Sequence, residues 1–140
     1  MIPYSKQSID EEDINEVIKV LKSDMITQGP VVSNFEKAIC TYTSSNFSVL
    51  TNSATSALHI SCLALGLGKE DILWTSPNSY VASANVGLLC NAEVDFVDID
   101  KDNYNMCTKA LLEKLKIAEK YGKLPKIVMP VHFAGQSCDM

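Results

Sequence analysis

The chain has 140 residues, 46% of them hydrophobic, which is enough to bury the core of a small domain and too many for a disordered tail. Its net charge is −5, from 12 basic against 17 acidic residues, and every base is a lysine. An acidic chain without a basic run argues against a nucleic-acid surface, and the lack of arginine excludes a bidentate guanidinium clamp on carboxylate or phosphate. No apolar run approaches the length of a membrane span.

The first ten residues are too polar for a signal peptide. The five cysteines (Cys40, Cys62, Cys90, Cys107 and Cys138) are odd in number and widely spaced, with no Cys-x-x-Cys pair. They read as reduced thiols of a cytoplasmic protein, most of them small core residues. His59 and His132 stand far apart without partners at ligand spacing, so no metal site is expected.

In chain order, Ile2 to Ser5 reads as an extended arm. Asp10 to Asp13 opens a helix with acids in its first turn, and Ile14, Val17, Ile18 and Leu21 follow at helical spacing up to about Ser23. Asp24 to Pro30 is a loop punctuated by Gly29-Pro30, either a connector or a ligand-facing segment. A second helix is expected from about Ser33 to Thr43, with Phe35, Ala38, Ile39 and Tyr42 on one stripe.

Phe47 to Leu50 reads as a first strand, followed by the polar turn Asn52-Ser53-Ala54-Thr55 and a helix with Ala54, Ala57, Leu58 and Leu65 at apolar spacing. Ser53 or Thr55 can cap this helix, and its free first-turn amides would suit an anion. Capping alone also explains these residues, and both readings stand at this point. Neither a glycine-rich dinucleotide fingerprint nor a Walker loop is present.

Asp71 to Thr75 is a second strand, Ser76-Pro77-Asn78-Ser79-Tyr80 its turn, and Val81 to Leu89 a helix. Glu93 to Ile99 alternates as a third strand. Asp98, Asp100 and Asp102 then resemble the opening of a calcium loop but lack its glycine and closing glutamate, so solvated strand-end charges are the better reading. A helix from about Thr108 to Tyr121 ends at Gly122, and Lys126 to Val131 is a fourth strand. Strands alternating with helix-length crossovers imply an α/β fold with a mostly parallel sheet and flanking helices. Ligands bind such sheets beyond the carboxyl ends of the strands. An anion at the first turn and the Tyr80 ring at the second would together suit a flat, phosphorylated ligand. The last strand and its loop are followed by cap-type residues without a helix, so the chain is expected to be the N-terminal part of a longer protein.

Six ordered motifs carry a resemblance over essentially the whole chain. They are Ile26-Thr27-Gln28-Gly29-Pro30, Phe35-Glu36, Asn52 to His59, Thr75 to Asn85, Phe96-Val97-Asp98-Ile99-Asp100, and Pro130 to Gln136 with Asp139-Met140. The chain resembles the N-terminal third of the DegT-type sugar aminotransferases, which depend on pyridoxal 5'-phosphate. Within that family it looks most like the branch that aminates a UDP-linked 4-keto-6-deoxy-N-acetylhexosamine, with glutamate as donor, in pseudaminic acid biosynthesis. The resemblance implies part of an aspartate-aminotransferase-like large domain: residues 1–30 as N-terminal helix and ligand-side loop, and residues 31–140 as an incomplete cofactor-binding domain. It implies a homodimer with sites at the subunit interface.

By the same resemblance, Ala54 and Thr55 match positions that hold the cofactor phosphate, and Tyr80 matches the aromatic that stacks on the pyridine ring. Tyr4 and the loop residues Asp24, Met25, Ile26 and Thr27 match segments that contact the nucleotide-sugar. His132 and Gln136 match a strand-end motif without an assigned role. The Schiff-base lysine and the acid at the pyridine nitrogen fall, in the family, after the point where this chain stops. The 140 residues are therefore expected to be inactive alone. Two rivals stay open: a sugar dehydratase of the same fold, with histidine in place of the lysine, and a non-catalytic module, either a truncated pseudoenzyme or a phosphate-binding α/β domain.

Overall fold

A computed structural model describes residues 5–140, which form two compact units meeting in sequence between Leu50 and Thr51. Tyr4 lies outside the described residues.

The first unit holds α1 (Glu11–Leu21) and α2 (Pro30–Thr43). Asp10 starts α1 through a capping box: its carboxylate accepts from the Glu12 and Asp13 amides, and Asp13 returns the bond to the Asp10 amide. The second helix begins three residues before Ser33. Pro30 takes its first position, where the missing N–H would have no intrahelical partner anyway. Gly29 ahead of it is required by space, since a Cβ there would sit 2.9 Å from the Met25 carbonyl oxygen. At the end of this unit, the Leu50 amide donates to Glu36 Oε1 at 2.9 Å.

The second unit holds α3 (Ala54–Ala64), β1 (Ile72–Thr75), α4 (Ala82–Leu89), β2 (Glu93–Phe96), α5 (Thr108–Lys120) and β3 (Ile127–Met129). The strands form one parallel sheet in the order β2-β1-β3. Leu73 of β1 faces a core with Cys62, Leu67, Val86, Cys90 and Ala92, so α3 and α4 cover that face. Trp74, the next residue, points the opposite way into a cluster with Val97, Met106 and Ala118, beneath α5. The connections after β1 and β2 thus run to opposite faces, an arrangement that opens a crevice at the carboxyl ends of the strands.

The expected strand at Phe47 to Leu50 does not form. Phe47 is 89% and Val49 73% exposed, and no strand among the described residues pairs with the segment. An extended run without a neighbour satisfies none of its backbone groups in a ladder, so apolar pattern alone cannot make it a strand. Among the described residues the sheet accordingly has three strands rather than four.

Candidate functional site

The site is built where α3 begins. Ser53 caps the helix, its hydroxyl accepting from the Ser56 amide at 3.2 Å, and the Ser56 hydroxyl donates to Asn52 Oδ1 at 2.7 Å. The cap thus uses Ser53 and Asn52 and leaves Thr55 out. Neither the Thr55 hydroxyl nor the Ala54 and Thr55 amides have an acceptor among the described residues. Free first-turn amides at the positive end of a helix dipole form an anion site, and the unspent hydroxyl adds a further donor.

Thr55 lines an open cleft of about 410 Å³ with Tyr80, Val81, Ala82, Asn85, Leu88 and Leu89. Tyr80 lies in the turn after β1, its side chain largely exposed, while α4 supplies an apolar floor. The cleft therefore joins a donor-rich end to an aromatic and aliphatic wall. That combination fits a phosphorylated planar group, which needs hydrogen bonds at its anion and apolar contact on its ring faces. At the carboxyl end of β1, the hydroxyl of Ser76 is buried without a hydrogen-bond partner among the described residues.

Asn85, Leu88 and Leu89 were not singled out for a role from sequence. The signal was present: counted from Val81 they recur at i+4, i+7 and i+8, one face of α4. What the pattern lacked was the direction of that face.

The loop residues expected to contact substrate belong to the first unit. There Asp24 and Met25 line a cleft of about 470 Å³ with Glu16, Lys19, Val20, Ser23, Pro30 and Val31, whereas Ile26 and Thr27 are exposed outside it. A larger cleft, about 620 Å³, runs under α5 along β2, but its Lys114 is already committed. That ammonium meets Asp95 at 2.6 Å, donates to the Phe96 carbonyl and lies 4.8 Å from the centre of the Trp74 ring. The hydrogen bond from Lys114 holds the Asp95 carboxyl below its ordinary range. The acids after β2 serve the turn: Asp100 Oδ1 accepts from the Asp102 and Asn103 amides.

A parallel α/β sheet with free helix-start amides and an exposed aromatic ring at its carboxyl edge has the chemistry to accept a phosphorylated, planar ligand. Residues 7–140 match the DegT/DnrJ/EryC1/StrS aminotransferase family, and the chain belongs to it. The UDP-4-amino-4,6-dideoxy-N-acetyl-beta-L-altrosamine transaminase of Campylobacter jejuni is 40% identical over 141 residues, covering 100% of this chain and 36% of that protein. Among solved structures, a protein of Streptococcus pneumoniae described as a sugar aminotransferase, in its PLP form, superposes with a TM-score of 0.87 at 32% identity, over 99% of this chain and 34% of that one. Helicobacter pylori PseC, an aminotransferase of pseudaminic acid biosynthesis, gives a TM-score of 0.83 at 30% identity, over 98% of this chain and 36% of its own. The chain thus spans about a third of the length of the relatives it matches. The family is one of pyridoxal-phosphate-dependent aminotransferases, and the fold is theirs.

Proposed function

We propose that these residues form the phosphate- and ring-binding part of a pyridoxal-phosphate-dependent aminotransferase that acts on a nucleotide-linked 4-keto-6-deoxy sugar, with glutamate as donor. The observation that carries the reading is the cleft shared by Thr55 and Tyr80 at the start of α3. In it the amides of Ala54 and Thr55 and the Thr55 hydroxyl hold the phosphate, which is dianionic near neutral pH and favoured by the helix dipole. The Tyr80 ring packs on the pyridine face and fixes its plane. The bound cofactor supplies an electron sink for moving an amino group between donor and acceptor.

None of the twelve lysines lines this cleft, so in this reading the lysine that carries the cofactor and the acid at its ring nitrogen come from the rest of the polypeptide. The identity to the Campylobacter transaminase supports a UDP-sugar acceptor. Residues 1–30, with Asp24, Met25, Ile26, Thr27 and Tyr4, serve the nucleotide-sugar, and residues 31–140 serve the cofactor. The molecule works as a cytoplasmic homodimer, a setting that suits five free thiols; among the described residues no helix is long and apolar enough to cross a membrane.

The test uses the intact gene product. Pyridoxal phosphate is titrated by visible absorbance, and the protein is then supplied with glutamate and a UDP-linked 4-keto-6-deoxy-N-acetylhexosamine. An aminated sugar together with 2-oxoglutarate supports the reading. A deoxygenated sugar without amino transfer assigns the dehydratase chemistry of the same fold, and phosphate binding without any cofactor band assigns a non-catalytic module.

A further inference from the structure

One buried side chain from the loop after β2 fixes the loop after β3. Asn105 is 3% exposed. Its Oδ1 accepts from the Phe133 amide at 2.9 Å, and its Nδ2 donates to the carbonyls of Gln136 and Ser137, each at 3.1 Å. Both amide hydrogens and one oxygen lone pair of the side chain are thereby spent on one stretch of backbone. Asn105 is itself held from its own side. Its amide donates to Asn103 Oδ1 at 2.9 Å, its carbonyl accepts from the Asp100 amide at 2.8 Å, and the neighbouring Tyr104 ring lies 6.1 Å from that of Phe133.

The pinned stretch determines the state of a histidine. The Cys138 amide donates to His132 Nδ1 at 3.0 Å. A backbone N–H can only donate, so Nδ1 accepts, and the neutral ring carries its hydrogen on Nε2. His132 is exposed, and its Nε2 makes no hydrogen bond among the described residues. His132 follows β3, so this donor lies at the carboxyl end of the parallel sheet, the end at which the turn carrying Tyr80 also emerges, next in the fold to but not among the residues lining the Thr55–Tyr80 cleft.

We propose that Asn105 is a positioning residue which, through the backbone of residues 133–138, holds His132 as an Nε2–H donor to an oxygen acceptor of the bound ligand. The inference rests on the function proposed above and adds a recognition element to it. The acceptor belongs either to the cofactor or to the nucleotide-sugar, and the two are told apart by separate titrations. If Asn105 served stability alone, its loss would move the unfolding temperature and leave ligand affinity unchanged.

The experiment compares wild type with Asn105→Ala, His132→Ala and His132→Gln in the intact gene product. It reads the His132 tautomer by nitrogen-15 NMR, thermal unfolding, affinity for pyridoxal phosphate by absorbance, and affinity for UDP-N-acetylglucosamine by calorimetry. Wild type should show the Nε2–H tautomer. Asn105→Ala and His132→Ala should each weaken one of the two probes by about tenfold, the size of one lost hydrogen bond. His132→Gln, whose amide N–H extends about as far as Nε2–H, should keep most of that affinity. Should the Asn105 variant fail to fold, His132→Ala decides alone. Equal binding of both probes by His132→Ala and wild type, or a wild-type proton on Nδ1, overturns this inference and leaves the proposed function standing. A wild-type protein that binds neither probe overturns both.

Discussion

Gly87 of α4 and Val94 of β2 approach so closely that a Cβ added at Gly87 would lie 2.6 Å from Val94 Cγ2 and 3.4 Å from the Leu73 Cβ. Glycine in a helix interior normally costs about 1 kcal/mol relative to alanine, so propensity alone would favour Gly87→Ala. Overpacking against a stiff, branched side chain costs about 1–3 kcal/mol, which outweighs that gain. Gly87→Ala should therefore lower stability by about 1 kcal/mol, read as a lower midpoint in urea unfolding, and Val94→Ala introduced with it should recover part of the loss.

The cap and the proposed phosphate contact separate cleanly at the start of α3. Ser53→Ala removes the bond to the Ser56 amide and should cost about 1 kcal/mol of stability. Thr55→Val removes a hydroxyl that bonds nothing among the described residues, so its unfolding midpoint should stay close to wild type. Cofactor affinity should fall roughly 10- to 100-fold, the range for a hydrogen bond to a charged group, when titrated by absorbance. A Thr55→Val protein with wild-type affinity would remove Thr55 from the site.

Tyr80 is exposed to solvent and makes no side-chain hydrogen bond among the described residues, so its proposed contribution is the ring face. Tyr80→Phe should keep cofactor affinity within about threefold, whereas Tyr80→Ala should lose roughly tenfold, since aromatic packing is worth about 1 kcal/mol beyond area. Equal losses from both substitutions would mean that the hydroxyl, not the ring, makes the contact.

The Asp95–Lys114 pair sets an acid limit. Asp95 is held below the ordinary carboxylate range chiefly by the hydrogen bond from Lys114. A depressed folded-state value means that the contribution is complete above the unfolded value, near pH ~4, and is lost as pH falls through the folded one. Stability measured from pH 6 to pH 2 should drop in this window, and Asp95→Asn should flatten the drop. Half the carboxylate is in solvent, so added salt should shrink the effect.

Burial, with Cys90 as a second cause, pushes the Cys62 thiol above its ordinary range. A raised thiol value contributes stability that is present below the unfolded value and lost as pH rises through the folded one, so this limit lies on the alkaline side, above about pH 8.5. Under native conditions near pH 8, mass spectrometry after iodoacetamide should find Cys40, Cys107 and Cys138 modified before Cys62 and Cys90, because the latter two are buried. Early modification of Cys62 would show that α3 opens locally.

Local chemistry was legible in the sequence wherever neighbours in the chain settle the outcome. Acids ahead of an apolar stripe located α1, the polar turn with Ser53 and Thr55 as alternative caps located α3, and apolar runs between turn residues located β1, β2 and β3 to within a few residues. Caps, periodicity and punctuation act over one helical turn or one strand, so a linear reading captures them. What only the tertiary structure decided depends on partners distant in sequence. Phe47 to Leu50 has the composition of a strand and is none, because a strand exists only beside another. Asn105 sits in a run of Asp and Asn residues indistinguishable from a solvated turn, and it is buried because loop backbone some thirty positions later supplies its hydrogen-bond partners. Thr55 and Tyr80 could each be named from the chain, but the cleft they share is made by the parallel sheet and the α4 face packed on it, a relationship in space that no local pattern encodes.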